Sequence, residues 1–158
     1  MEFSSIVRDF EQRFGIGIRV SDEGAFALEI DGATFVVRSV EDGRRVSLAA
    51  RIGLPPPERL EELYAALLKA NHLFLATGGA TLSLDPETDE VTLCRSFDTR
   101  AMTPEEFHAE FAGFVETHGA WRTVVSEFRA REPVADDEKR DLPAYEGQSG
   151  GNLFCFRA

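Results

Sequence analysis

Apolar residues in this chain switch between helical and strand spacing, and the order of those switches is what limits the fold. At the N-terminus Phe3, Ile6, Val7, Phe10 and Phe14 recur at intervals of three and four, with Glu2, Arg8, Asp9, Glu11 and Arg13 between them. That is the stripe of an amphipathic helix, and Gly15 supplies the C-terminal stop such a helix uses. From Ile16 to Leu54 the spacing becomes two. Phe26, Leu28 and Ile30 alternate with Ala25, Ala27 and Glu29, Phe35 and Val37 with Val36 and Arg38, and Val46, Leu48, Ala50 and Ile52 form a third run. Asp31-Gly32 and Glu41-Asp42-Gly43 are the turns between them, so the segment reads as an antiparallel meander.

Pro55-Pro56-Pro57 breaks the sheet and places a proline at the first turn of a second helix. Its stripe is Leu60, Leu63, Tyr64, Leu67 and Leu68, with Glu58, Arg59, Glu61 and Glu62 as its wet side, and it ends near Asn71. Leu82 and Leu84, then Val91, Leu93 and Phe97, make a second hairpin around Asp85-Pro86-Glu87-Thr88-Asp89. The third helix opens on Thr103-Pro104-Glu105-Glu106, a threonine cap with glutamate three residues on. Phe107, Phe111, Phe114, Val115, Trp121, Val125 and Phe128 follow its inner face, and Gly113 and Gly119 mark close backbone approach or a bend. The order α-β-β-β-α-β-β-α predicts an α+β domain over residues 1–130, an antiparallel twisted sheet of about five strands with three helices. Residues 131–158 lose all periodicity and read as an extension, flexible or docked by its apolar end, Leu153, Phe154, Cys155 and Phe156.

Charge narrows the partners. With 17 basic against 28 acidic residues the formal net charge is −11, the wrong sign for a chain that must neutralise phosphates or dock on an anionic membrane. Neither nucleic acid nor membrane insertion is expected. The N-terminus carries charges every few residues, unlike a cleaved signal peptide, and no run approaches the ~18 apolar residues of a membrane span. The expected location is the cytoplasm.

Catalytic and metal chemistry find little support. His72, His108 and His118 show no metal-ligand spacing with one another or with Cys94 and Cys155. Gly78-Gly79 precedes a strand, whereas a phosphate-cradling loop needs a helix N-terminus behind it. Asp85 to Glu90 lacks the glycine and the spacing of a calcium loop. No Ser-His-Asp or Cys-His order suggests an activated nucleophile, so no catalytic residue, metal or cofactor is expected.

The stretch Leu63 to Asn71, followed by Thr77-Gly78-Gly79-Ala80-Thr81-Leu82-Ser83-Leu84-Asp85-Pro86-Glu87-Thr88, resembles the class I type III secretion chaperones, the Tir-chaperone family. The resemblance covers roughly residues 2 to 130. It implies a cytoplasmic homodimer whose two-fold interface uses helix two and the second hairpin, here Leu63, Leu67, Leu82 and Leu84. The implied client is the N-terminal segment of a secreted effector, wrapped around the dimer in extended form and gripped by apolar patches and strand addition. For that grip the candidates are Phe3, Val7 and Phe10 on helix one, with Phe35 and Val37 in the sheet. The competing readings are a non-catalytic dimeric adaptor and a small-ligand sensor with a pocket between helix three and the sheet.

Overall fold

The computed structural model describes residues 1–41 and 43–130. The expected extension at 131–158 lies outside the described residues, as does Asp42 of the second turn. The elements are α1 (Phe3–Phe14), β1 (Ala25–Ile30), β2 (Ala33–Val40), β3 (Arg45–Gly53), α2 (Leu60–Asn71), β4 (Thr81–Leu84), β5 (Val91–Asp98) and α3 (Pro104–Ala130). The five strands form one sheet in the order β1-β2-β3-β5-β4, antiparallel throughout. Fold class and element order are those expected from the spacing of apolar residues.

Alternation along the strands makes the sheet one-sided. Phe26, Leu28, Phe35, Val37, Val46, Leu48, Ala50, Leu82 and Leu93 are buried on one face. Register joins Phe26 to Val37, Val37 to Leu48, and Ala50 to Leu93. Onto this face fall the phenylalanines of α1 and α3. Phe10 meets Phe26, Phe107 and Phe111, and Phe35 meets Phe111 and Phe114, with ring centroids 5.1–6.2 Å apart and mostly edge to face. The opposite face carries Ala27, Val36, Arg38, Ser47, Ala49, Arg51 and Cys94, all half-buried or exposed.

Local chemistry fixes the element ends. Gly15 closes α1 at φ 63°, a backbone region that glycine enters without a Cβ clash. Asp31 and Gly32 both take positive φ, as a two-residue hairpin turn of the primed type requires. At α3 the Glu106 amide donates to Thr103 Oγ1 (3.2 Å) and the Thr103 amide to the Glu106 carboxylate (2.8 Å), completing the capping box. Gly113 and Gly119 do not mark a close approach: a Cβ at either would meet nothing within 4 Å.

Arg59 departs from its expected place on the wet side of helix two. A short 3-10 helix, Pro57–Arg59, precedes α2 and turns Arg59 inward, where its guanidinium lies 4.8 Å over the Phe128 ring and pairs with Glu62. Hydrogen bonding from Arg59 holds the Glu62 carboxyl below the usual carboxylate range.

Asn71 at the end of α2 governs one edge of the sheet. Its Nδ2 donates to Leu82 O and its Oδ1 accepts from Leu82 N, both at 2.9 Å, so a side chain supplies the partner that a neighbouring strand would otherwise provide. Replacing Asn71 with Ala leaves both Leu82 groups unpaired. The expected loss of stability is about 1–3 kcal/mol, read as a lower urea midpoint with an unchanged slope.

Candidate functional site

Of the residues proposed for client contact, Phe10, Phe35 and Val37 are 0–1% exposed and belong to the protomer's own core. This corrects the expectation of a grip built on them: hydrophobic spacing marks the buried stripe and does not say which part of it faces outward. Phe3 and Val7 are half-buried at the rim of α1, and Phe3 packs against Phe26 at 5.8 Å. The exposed apolar surface beside α1 is formed by Phe14, the last residue of its stripe, with Ile16 and Val20, which lie beyond the helix end where no period marks them.

This segment leads straight to an open strand edge. Ile30 and Ala33 flank the two-residue turn, so Phe26, Leu28 and Ile30 direct their backbone groups to β2 while Ala25, Ala27 and Glu29 direct theirs outward. The chain itself answers Ala25: its amide donates to Ser21 Oγ and its carbonyl accepts from the Ser21 amide (3.2 and 2.8 Å). Among the described residues nothing pairs with the outward groups of Ala27 and Glu29. The two ends of the sheet therefore differ in degree: on β4 Asn71 closes Leu82 and leaves Leu84, and β1 is open at Ala27 and Glu29.

The expected interface residues divide in the same way. Leu63, Leu67 and Leu82 are buried within the protomer, so only Leu84 of the four is exposed. The exposed apolar groups next to them are Leu68, on the outer side of α2, and Leu73, Phe74 and Leu75 in the connection to β4. Tyr64, Leu68, Leu82 and Leu84 line a groove of about 330 Å³.

Charged and polar groups mostly hold the frame together. His108 pairs with Asp9, tying α3 to α1, and its ring stacks 4.7 Å from Phe10. Buried His118 uses Nε2 against the Arg51 carbonyl at 2.9 Å. Arg51 reaches Asp85 and Glu90 at 3.2 and 3.4 Å. Among the described residues no group of three His, Cys, Asp or Glu side chains could hold a metal ion, and no helix is long and apolar enough to cross a membrane. The space between α3 and the sheet, where a sensor would keep its ligand, is filled by Phe35, Phe111, Phe114 and His118 in ring contact.

An open strand edge, an apolar helix rim and an apolar groove on a one-sided sheet are features that suit the binding of polypeptide. The model of the Tir chaperone protein (CesT) family matches residues 5–122, and the chain belongs to that family. Solved structures share the fold. A chain of the HopA1–SchA chaperone–effector complex is 20% identical with a TM-score of 0.64, the match covering 77% of this chain and 93% of that one. The Yersinia pestis type III secretion chaperone SycH, solved with a stable fragment of YscM2, gives 18%, 0.59, 75% and 98% for the same quantities. The E. coli protein YbjN, a candidate transcription regulator, gives 20%, 0.55, 80% and 91%. At such identities the likeness establishes the fold, and the family match carries the function. No curated protein sequence matches the chain.

Proposed function

We propose that this protein is a cytoplasmic, homodimeric chaperone that binds the N-terminal segment of a type III secreted effector in extended form and keeps it soluble and competent for secretion. Membership of the Tir chaperone family carries the reading. The manner of binding is supported by the free edge of β1 beside Phe14, Ile16 and Val20. A disordered client loses conformational entropy on binding. Backbone pairing at Ala27 and Glu29 gives it register without demanding its sequence, and burial of apolar side chains at about 25 cal/mol per Å² offsets the ordering cost. Phe3 and Val7 at the rim of α1 remain candidates for that contact, and no catalytic step is part of the reading. The strong negative charge keeps a protein with exposed apolar patches dispersed.

Affinity capture of the tagged full-length chain from its native bacterial lysate tests this. One secreted protein should be retained, and removing that protein's N-terminal segment should abolish the association. Retention through a folded C-terminal domain instead would favour the adaptor reading. For the dimer, Leu68→Glu places a charge on the outer side of α2 without entering the core. The mass by light scattering should fall from twice 17.5 kDa to 17.5 kDa. Buried Leu67 would be the wrong position for that test, since a charge there disrupts the protomer itself.

A further inference from the structure

The free edge of β1 lacks the devices that usually blunt one. Ala27 and Glu29, whose backbone groups point away from β2, are both exposed. The strand holds no proline, and its register with β2 runs from Ala25 to Ile30 without a bulge. Glu29 is its one charge, and the segment leading into it exposes Phe14, Ile16 and Val20 by 54, 41 and 40%. Unpaired amides beside apolar side chains are a template for another strand, including one from a second copy of the chain. Such an edge is a liability while no client is present.

The chain carries a segment of matching chemistry beyond its described residues. Leu153-Phe154-Cys155-Phe156 is apolar throughout and free of proline, and strand alternation would set Phe154 and Phe156 on one face. α3 brings the chain near the edge. Arg122 Nη1 donates to the carbonyl of Asp31, in the turn at the end of β1, at 3.1 Å. Ala130, the last residue of α3, follows eight positions later, a rise of ~12 Å. With the reach of the arginine side chain added, that turn lies on the order of 20 Å from Ala130. Residues 131–152, twenty-two in number, separate Ala130 from Leu153. A coil of that length has a root-mean-square span of about 26 Å and holds its far end near such a site at a millimolar effective concentration.

We propose that residues 153–156 pair with the free edge of β1 in the same protomer, so that the chain occupies its own client site until a client displaces it. The inference rests on the reading of that edge as the client site and adds a regulator to it. The backbone of the segment serves the outward groups of Ala27 and Glu29. Phe154 and Phe156 lie on the face that Phe26 and Leu28 turn toward α1, against half-buried Phe3, which packs on Phe26 at 5.8 Å. A pairing of four residues opens readily. It shields the edge in part, and a longer client that makes more of the same contacts replaces it and shields the edge further. Edge-to-edge pairing between copies is suppressed meanwhile.

The double variant Phe154→Ser, Phe156→Ser in the full-length chain tests the proposal through hydrogen exchange without any client. The Ala27 and Glu29 amides should exchange at least threefold faster in the variant than in the wild type, with Phe26 and Leu28 alike in both. A synthetic peptide of residues 150–158 added to the variant should slow the two amides again. In titration with the N-terminal segment of the captured client, the variant should bind at least threefold more tightly than the wild type. Equal exchange at Ala27 and Glu29 in the two proteins would overturn the proposal. If Ala27→Pro still weakened client binding in that case, the chaperone reading would stand and the self-pairing alone would fall. Protection in the wild type that fades on dilution would assign the pairing to a second copy and overturn it as well. Faster exchange in the variant with unchanged client affinity would overturn the shared site and place the client elsewhere.

Discussion

Replacing Phe10 with Ala is expected to destabilise the protein by about 3–5 kcal/mol, the range for removing a fully buried aromatic ring. The ring is 0% exposed and in contact range of Phe14, Phe26, Phe107, Phe111 and His108. It belongs to α1 yet touches the sheet and α3, so its loss leaves a void where three elements meet. For a domain of this size the melting temperature should fall on the order of 10 °C. Phe14→Ala is the matched control: its side chain is half outside, and the expected loss is below about 1 kcal/mol. Urea denaturation of the two variants decides the matter. A loss of under 1 kcal/mol for Phe10→Ala would mean that α1 is not packed as described. The pair also separates stability from binding on one helix, since Phe14 is exposed and is the residue proposed for client contact.

The second large effect is expected at β1. Ala27→Pro removes an amide that points away from β2 and leaves the ladder intact, which is the one setting in which a strand tolerates proline. Stability should change by less than about 1 kcal/mol, because only the fit of φ to the ring is at stake. Client binding should weaken at least tenfold, since the ring blocks the edge and removes a donor that strand addition needs. Ala27→Ser keeps the amide and should bind as the wild type does. Fluorescence titration with the N-terminal segment of the captured client reads both. Unchanged affinity of the proline variant would move the client off this edge.

Legibility in the sequence followed burial. Spacing identified the three α-helices and five strands of the described residues because a one-sided sheet with two helices packed on its inner face leaves an unbroken period in each element. The capping box at Thr103 and the Asp31-Gly32 turn were readable because both depend on residues within four positions of each other. The site was less legible for the same reason. Phe10, Phe35 and Val37 were chosen as apolar and regularly spaced, and those properties are what put them in the core. Of the exposed apolar residues proposed for client contact, Ile16 and Val20 lie beyond the end of α1, where no period exists, and Phe14 carries the same period as its buried neighbours. Asn71 and Arg59 gave no signal either: each acts on a group at least eleven residues or a whole helix away, through a side chain that sequence alone would leave in water. The apolar run after Asn71 was the available clue to the loop, since three large hydrophobes before Gly78-Gly79 fit neither a helix nor a strand.

Hydrogen exchange of the chain with and without the N-terminal segment of its captured client tests the central claim most directly. Exchange should slow at the Ala27 and Glu29 amides, which have no partner among the described residues, and along the client segment. The amides of Phe26 and Leu28, already in the β2 ladder, should change little. Protection confined to other surfaces, or a client segment that exchanges as fast bound as free, would contradict it.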